Sequence, residues 1–218
     1  MFITEYNGEK DDYRKWLLKN RWKLGVAIIL SFTGMLISVF YFTFLQWMYI
    51  LPAAVLSMLY SVGDNKTIKG FRELPYLKIF IVVFCWGYVT GFLPGVFSGL
   101  PFSEFYPVFI LKTLFAFCVY IPFEIRDMNE DPAHMKTLPQ VTGIKGAVTA
   151  GMLTLFLFAW LSMKFLAVPW SVLVPVCLLT AMALLFSTRK NNSMFYFLFI
   201  DSLLVMKPLF SMAVLKFF

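Results

Sequence analysis

Long apolar runs alternate with short polar segments along most of the chain. Runs of about 20 apolar residues have the length that a helix needs to cross a bilayer. Seven such runs are predicted, at about Leu24–Phe42, Phe44–Val62, Leu77–Pro94, Phe105–Phe123, Val148–Leu166, Trp170–Phe186 and Met194–Leu215. They lack the ten-residue alternation of a membrane barrel. The pattern therefore predicts an all-α, multi-pass transmembrane helical bundle over residues 24–218, after a hydrophilic segment at residues 1–23.

Composition supports this interpretation and narrows the class of partners. Apolar residues make up 60% of the chain, charged residues make up 14%, and the net charge is +7. A positive charge can indicate nucleic-acid binding, but basic residues also gather in the cytoplasmic loops of membrane proteins. We therefore expect membrane lipid and no nucleic acid around this chain. Cys85, Cys118 and Cys177 lie singly inside apolar runs, which indicates neither a disulfide framework nor a zinc site.

The basic residues have a biased distribution along the predicted spans. They concentrate in the first segment and in the loops after the second, fourth and sixth spans. They include Lys10, Arg14, Lys15, Lys66, Lys69, Arg72, Lys78, Arg126, Lys136, Lys145, Arg189 and Lys190. Because positive loops face the cytoplasm, we expect a cell-membrane protein with its N-terminus inside and its C-terminus outside. The predicted loop 124–146 then faces the cytoplasm.

An acidic cluster begins this loop. Glu124, Asp127 and Asp131 are spaced three and four residues apart, so on a helix they fall within roughly 60° of one another. Pro132 predicts that the helix ends near Asp131, at the negative end of the helix dipole. A bound cation would relieve the repulsion, and oxygen ligands favour Mg²⁺. We therefore predict these three carboxylates to be Mg²⁺ ligands.

Carboxylates beside an apolar, aromatic region suggest chemistry on a lipid diphosphate. Mg²⁺ held by carboxylates binds substrate phosphates and makes a diphosphate a better leaving group. Lys136, Arg72 and Lys78 are candidates to bind the diphosphate oxygens, and Arg126 is a further one. The alternative for these cations is a role as cytoplasmic charges. For the carboxylates, the alternative is a solvated helix end paired with Arg126.

The acidic cluster and the residues after it also form a recognisable motif. Glu124-x-x-Asp127-x-x-x-Asp131, followed by Lys136-Thr137-Leu138-Pro139 and Gly143, resembles the second aspartate-rich motif of the UbiA superfamily of membrane prenyltransferases. Tyr60-Ser61, Leu74-Pro75-Tyr76-Leu77-Lys78 and Asp201 match more loosely. The resemblance extends from about Trp16 to the C-terminus.

The resemblance implies a helical bundle with a central cavity near the cytoplasmic face. It implies transfer of an isoprenyl chain from a prenyl diphosphate to a lipophilic or aromatic acceptor, with Mg²⁺ as cofactor. Asp127 and Asp131 would be catalytic, and Tyr60 and Asp201 would line the cavity.

Two departures from the family pattern leave an alternative open. Glu124 stands where the family has its first aspartate. The family has nine spans and an earlier Asn-Asp-x-x-Asp motif, whereas the first span here matches the family's third. Two helices and the first motif would then be missing. The alternative is a non-catalytic or truncated relative that binds or transports lipid.

Overall fold

The computed structural model describes residues 15–16, 18–61, 74, 76–129, 131–188, 195–200 and 202–203. The described residues form helices, turns and connections, with no strand. The α-helices are α1 (Arg21–Val39), α2 (Phe44–Ser61), α3 (Leu77–Gly87), α4 (Leu93–Phe97), α5 (Phe102–Asp127), α6 (Leu138–Leu166) and α7 (Trp170–Leu185). Two π-helical segments, Tyr88–Phe92 and Phe195–Ile200, and a 3-10 turn, Ala133–Met135, complete the set.

Four stretches are long and apolar enough to cross a membrane. They are α1, the continuous stretch Leu77–Phe97, α5 and α6, while α2 and α7 are shorter apolar helices. The all-α class predicted from the sequence is therefore confirmed, together with helices of membrane-spanning length. Most of the predicted seventh span, and the loops around Arg72 and Arg189, lie outside the described residues.

The chain divides into two compact units, Met1–Met48 and Tyr49–Phe218, and the division falls within α2. In the first unit, α1 carries exposed apolar side chains such as Ile28 and Leu30. Thr33 and Ser38 donate hydrogen bonds to the backbone carbonyls four residues earlier. These bonds satisfy the two hydroxyls without water, which suits a helix surrounded by lipid.

In the second unit, α5 is the central helix. It packs against α3, the first π-helical segment, α6 and α7. Cys118, Ile121 and Ile125 of α5 are fully buried, as are Ala147 of α6 and Leu184 of α7. Neighbouring helices surround α5 on several sides, and Glu124 and Ile125 near its C-terminus are buried among them. This end of α5 carries the acidic motif.

Three glycines bring α3, the first π-helical segment and α4 close to α5. A Cβ atom at Gly91 would lie 2.8 Å from the Cα atom of Phe109, and one at Gly95 would overlap the Cβ atom of Phe105. Gly87 faces Thr113 in the same way. Small residues at such spacing let helix backbones approach closely in a membrane. We call Gly87, Gly91 and Gly95 the glycine stripe.

The glycine stripe also sets a register. Gly95, Gly91 and Gly87 face Phe105, Phe109 and Thr113 of α5, in that order. The stripe and α5 therefore run antiparallel. Continued along α3, this register brings Lys78, in the first turn of that helix, level with the turn of α5 that ends at Glu124. Helix packing thus accounts for a lysine beside the acidic motif.

The connection between α5 and α6 is shorter than the predicted loop 124–146. Helix α5 ends at Asp127 rather than near Asp131, and α6 begins at Leu138 rather than near Val148. The backbone N–H of Thr137 donates to Gln140 Oε1 at 3.0 Å, which caps the start of α6. Gly143, with φ of 73°, then breaks the helical geometry inside α6. This left-handed conformation suits glycine, which has no Cβ to clash.

Candidate functional site

The ammonium group of Lys78 lies among the three carboxylates of the acidic motif. Its Nζ atom is 3.2 Å from Glu124 Oε1 and 3.9 Å from Asp127 Oδ2, and it donates a hydrogen bond to Asp131 Oδ2. Lys78 is 4% exposed, Glu124 is 1% exposed and Asp131 is 8% exposed. We call these four residues the Lys78 cluster. It is an ion-pair cluster at the end of the central helix, in which Asp127 alone of the four is partly exposed.

Two of the carboxylates belong to α5 and the third follows it. Glu124 and Asp127 lie in the last turn of α5, while Asp131 lies in a bend beyond the helix. The expectation that all three share one helix face is therefore wrong for Asp131. Its N–H donates to the carbonyl of Asp127 at 2.8 Å. Gln140 Nε2 donates to the carbonyls of Asp131 and Met128, at 2.9 and 3.1 Å. These bonds fold the connection back, so Asp131 still reaches the other two carboxylates.

The residues just before α3 are tied to the same connection. The N–H of Tyr76 donates to the carbonyl of Met135 at 3.0 Å. Tyr76 itself has a φ of 64°, which turns the chain sharply into α3. The turn before Lys78 is therefore tied to Met135, the residue that precedes Lys136 in the connection between α5 and α6.

The predicted diphosphate-binding cations have different surroundings. Lys78, which was predicted to bind diphosphate oxygens, is buried and makes ion pairs with the carboxylates. Lys136 is exposed, at the end of the 3-10 turn. Arg126 is exposed on the last turn of α5. Arg72, like the predicted cavity residue Asp201, lies outside the described residues.

Arg126 is held by one carboxylate and two aromatic rings. Its Nε atom donates to Asp127 Oδ1 at 2.7 Å. Its guanidinium carbon lies 5.2 Å from the ring centroid of Phe123 and 5.0 Å from that of Tyr196, within the range of cation–π attraction. Tyr196 is fully buried and donates from its hydroxyl to the carbonyl of Thr188 at 3.1 Å. The sequence analysis missed Tyr196, because no local pattern connects it with α5.

Tyr120 lies beside the carboxylates of the Lys78 cluster, and Tyr60 contacts Tyr120. The side chains of Tyr60 and Tyr120 are hydrogen-bonded to each other, and Tyr120 is near enough to Glu124 and Asp127 to interact with both electrostatically. Tyr120 precedes Glu124 by four residues, which places it one helical turn, about 6 Å, further from the end of α5. Its spacing from Glu124 was a usable signal for Tyr120, but the sequence analysis did not single it out.

Mg²⁺ can be tested against this arrangement. The donor set is suitable, since carboxylate oxygens are what a hard cation prefers. Both oxygens of the buried Glu124 carboxylate lack a well-formed hydrogen bond from the described residues, and the contact of Oε1 with Lys78 Nζ at 3.2 Å is an ion pair. However, in the part of the chain that the structure describes, no three acidic, histidine or cysteine side chains form a group that could hold a metal. As it stands, the cluster fits an ammonium ion, and Mg²⁺ stays a prediction.

No family model, curated protein or solved structure matches the chain significantly. The fold and the site nevertheless define a class, which is an all-helical protein with helices of membrane-spanning length and a buried lysine–carboxylate cluster at the end of its central helix.

Proposed function

We propose that this protein is a membrane prenyltransferase of the UbiA type, which moves an isoprenyl chain from its diphosphate to a lipophilic or aromatic acceptor. In this proposal it crosses the membrane seven times, with its N-terminus and the Lys78 cluster on the cytoplasmic side. One observation carries the proposal. Lys78 and Asp131 belong to separate segments of the motif resemblance, 53 residues apart, and their side chains are hydrogen-bonded.

The charges of the site indicate what a diphosphate would need. Three formal negative charges come from Glu124, Asp127 and Asp131, and two positive charges come from Lys78 and Arg126. The group therefore has a net charge of −1. A diphosphate would be repelled by the remaining negative charge unless further cations accompanied it. Lys136 lies exposed on the connection between α5 and α6 and can contribute one positive charge. When bound, Mg²⁺ would supply the remainder and neutralise the charge that develops on the departing diphosphate.

The chemistry then needs a place for a carbocation. The bond between the first prenyl carbon and oxygen breaks, and its electron pair leaves with the diphosphate. The acceptor supplies the pair for the new bond and releases a proton to water. Tyr120, beside the carboxylates, and Tyr60, which is hydrogen-bonded to it, have aromatic faces that can attract a cation. The buried residues around α5 exclude water, which would otherwise quench it.

The test is release of diphosphate by the purified full chain. With Mg²⁺ and a radiolabelled prenyl diphosphate, we expect release that depends on an added acceptor. Asp127→Asn should abolish release of diphosphate. The variant should keep the fold, because Asp127 Oδ2 lies farther from Lys78 Nζ, at 3.9 Å, than the oxygens of Glu124 and Asp131 do. Glu104→Gln is the matched control, since Glu104 is exposed at the opposite end of α5. Equal release by the wild type and Asp127→Asn would refute the proposal.

A second candidate is a non-catalytic relative that binds or transports lipid. The observation that favours it is the place of Lys78, whose ammonium makes ion pairs with all three carboxylates. If this lysine is a permanent counter-ion, the cluster is a structural element and no diphosphate is released. Binding of a prenyl lipid without release, under every acceptor tried, would favour this candidate.

A further inference from the structure

We propose that Lys112 of α5 binds the phosphate group of an anionic phospholipid, in the membrane leaflet at the opposite end of α5 from the Lys78 cluster. Lys112 belongs to no motif of the sequence, yet it is a charged residue inside a helix of membrane-spanning length. The site is separate from the carboxylates, so the inference goes beyond the proposed function and does not depend on it.

The depth of Lys112 in the membrane follows from its place on α5. It is ten residues from the start of the helix and fifteen from its end, which places its Cα atom about 15 Å and about 22 Å from them. The hydrocarbon core of a bilayer is about 30 Å thick, so this position lies inside it. Charged side chains at such depth are rare, because leaving water is costly, and they need a partner or a function.

Aromatic side chains of α5 and α6 mark the nearer boundary of the membrane. The ring centroid of Tyr106 lies 6.3 Å from that of Phe165, and aromatic side chains collect at membrane–water boundaries. Lys164 lies at this level, with its Nζ atom 5.1 Å from the ring centroid of Trp160 and 5.8 Å from that of Phe165. Lys112 follows Tyr106 by six residues, which places it about 9 Å deeper. Lys164 thus has aromatic partners at the boundary, whereas Lys112 lies below it.

The ammonium group of Lys112 has no partner among the residues that the structure describes. It makes no ion pair, hydrogen bond or ring contact there, although the residue is half-buried. The acidic residues of α5 are too distant along the helix, since Glu104 is about 12 Å away and Glu124 about 18 Å away. A cation in apolar surroundings is costly unless an anion accompanies it. An anion from outside the chain would supply that partner.

The stem of Lys112 leads toward the nearer boundary. A Cβ atom at Gly91 would lie 3.4 Å from Lys112 Cγ and 2.8 Å from the Cα atom of Phe109, which precedes Lys112 by three residues. The stem therefore leans toward the N-terminus of α5, as helical side chains do, and the missing side chain of Gly91 leaves it room. A lysine stem of five bonds extends by about 6 Å, which brings the ammonium within about 3 Å of the level of Tyr106.

An anionic phospholipid matches both parts of this position. Its phosphate lies near the boundary, where lysine binds the oxygens as a point charge, and basic positions between membrane helices bind lipid head groups. Its acyl chains can cover the exposed apolar side chains nearby, Ile110 and Phe84, the latter 6.0 Å from the ring centroid of Phe109. A headgroup without an ammonium of its own leaves the phosphate charge to Lys112. We therefore expect phosphatidylglycerol to bind in preference to phosphatidylcholine.

The test measures the midpoint of thermal unfolding of the purified full chain in detergent micelles with either lipid added, both with the same acyl chains. Phosphatidylglycerol should raise the wild-type midpoint by at least about 3 °C more than phosphatidylcholine does. Lys112→Met should lose this difference, whereas Lys112→Arg should keep it, because arginine also binds phosphate. Lys164→Met is the matched control, since it removes the same charge at the same end of α5 and should respond as the wild type does.

A further arm separates a lipid from a free anion. Inorganic phosphate at the same concentration should leave the wild-type midpoint unchanged, because it has no acyl chains to hold it at this depth. A rise as large as the one with phosphatidylglycerol would overturn the assignment to a lipid.

The proposal is overturned if Lys112→Met keeps the difference between the two lipids, or if Lys164→Met loses as much of it. If Lys112→Met does not fold, Lys112→Gln replaces it. If neither folds, the wild type decides, and equal midpoints in the two lipids refute the proposal. Diphosphate release is not part of these measurements, so a failure here leaves the proposed function standing.

Discussion

Replacing Gly91 by alanine tests the packing that brings Lys78 to the acidic motif. The added Cβ atom would lie 2.8 Å from the Cα atom and 3.2 Å from the backbone nitrogen of Phe109. Carbon atoms in contact prefer a separation of about 3.5–4.0 Å. The nearest atoms belong to the backbone, which cannot rotate away as a side chain can. The segment that carries Gly91 must therefore move away from α5 by about 0.7 Å or more.

The expected free-energy change combines two opposing effects. Overpacking of this kind costs about 1–3 kcal/mol. Replacing glycine by alanine within a helix returns about 1 kcal/mol, because alanine loses less conformational entropy. We therefore expect Gly91→Ala to lower the free energy of unfolding by up to about 2 kcal/mol. Gly34→Ala is the matched control, since nothing lies within 4 Å of the added carbon. That variant should be about 0.5–1 kcal/mol more stable than the wild type.

The measurement is unfolding of the purified protein with increasing mole fraction of sodium dodecyl sulfate, followed by tryptophan fluorescence. Opposite shifts of the midpoint for the two variants would support close packing along the glycine stripe. If Gly91→Ala is as stable as Gly34→Ala, then α5 does not approach Gly91 as described. The register that places Lys78 beside Glu124 would lose its support with it.

Three further predictions concern the site. Lys78→Met should lower the free energy of unfolding by about 3–5 kcal/mol, because it leaves buried carboxylates without their counter-ion. Adding Glu124→Gln to this variant should restore more than about 1 kcal/mol of that loss. If the effects of the two substitutions on stability simply add, Lys78 and Glu124 are not paired. Arg126→Ala should cost about 1–2 kcal/mol, since it removes two cation–π contacts and one ion pair of an exposed guanidinium, whereas Arg126→Lys should cost less; equal losses would show that the guanidinium plane is unimportant. Treatment with a metal chelator should abolish diphosphate release without lowering the detergent midpoint, because Lys78 holds the carboxylates together; a lower midpoint would mean that a bound metal stabilises the fold.

The helices could be predicted from the sequence because long apolar runs have few alternatives. The first four predicted spans begin within a few residues of the observed helices. The fifth span, which corresponds to α6, does not. Its early start at Leu138 depends on a cap formed by Thr137 and Gln140, inside a polar segment that hydropathy assigns to a loop. A pattern of apolar residues does not reveal such a cap, because the first turn of α6 is stabilised by hydrogen bonds.

The site could be predicted in part. The three carboxylates were grouped by their spacing, and they do converge, but Asp131 reaches the others through a bend held by Gln140 rather than along a helix face. The role of Lys78 could not be predicted, because its contacts depend on the distance between α3 and α5. That distance is set by glycines that lie far from the motif in the sequence. Spacing along a chain determines which residues share a face, but not which residue of another helix lies opposite.

The two rings around Arg126 have a practical consequence for protein engineering. Tyr196 contributes one of them from a segment near the end of the chain, and its hydroxyl is anchored to the carbonyl of Thr188. A fluorescent tag or a fusion joint inserted before Tyr196 would remove one of the two ring contacts of the Arg126 guanidinium. Because Leu203 is itself buried and the predicted seventh span continues to about Leu215, joints should be placed after that predicted span.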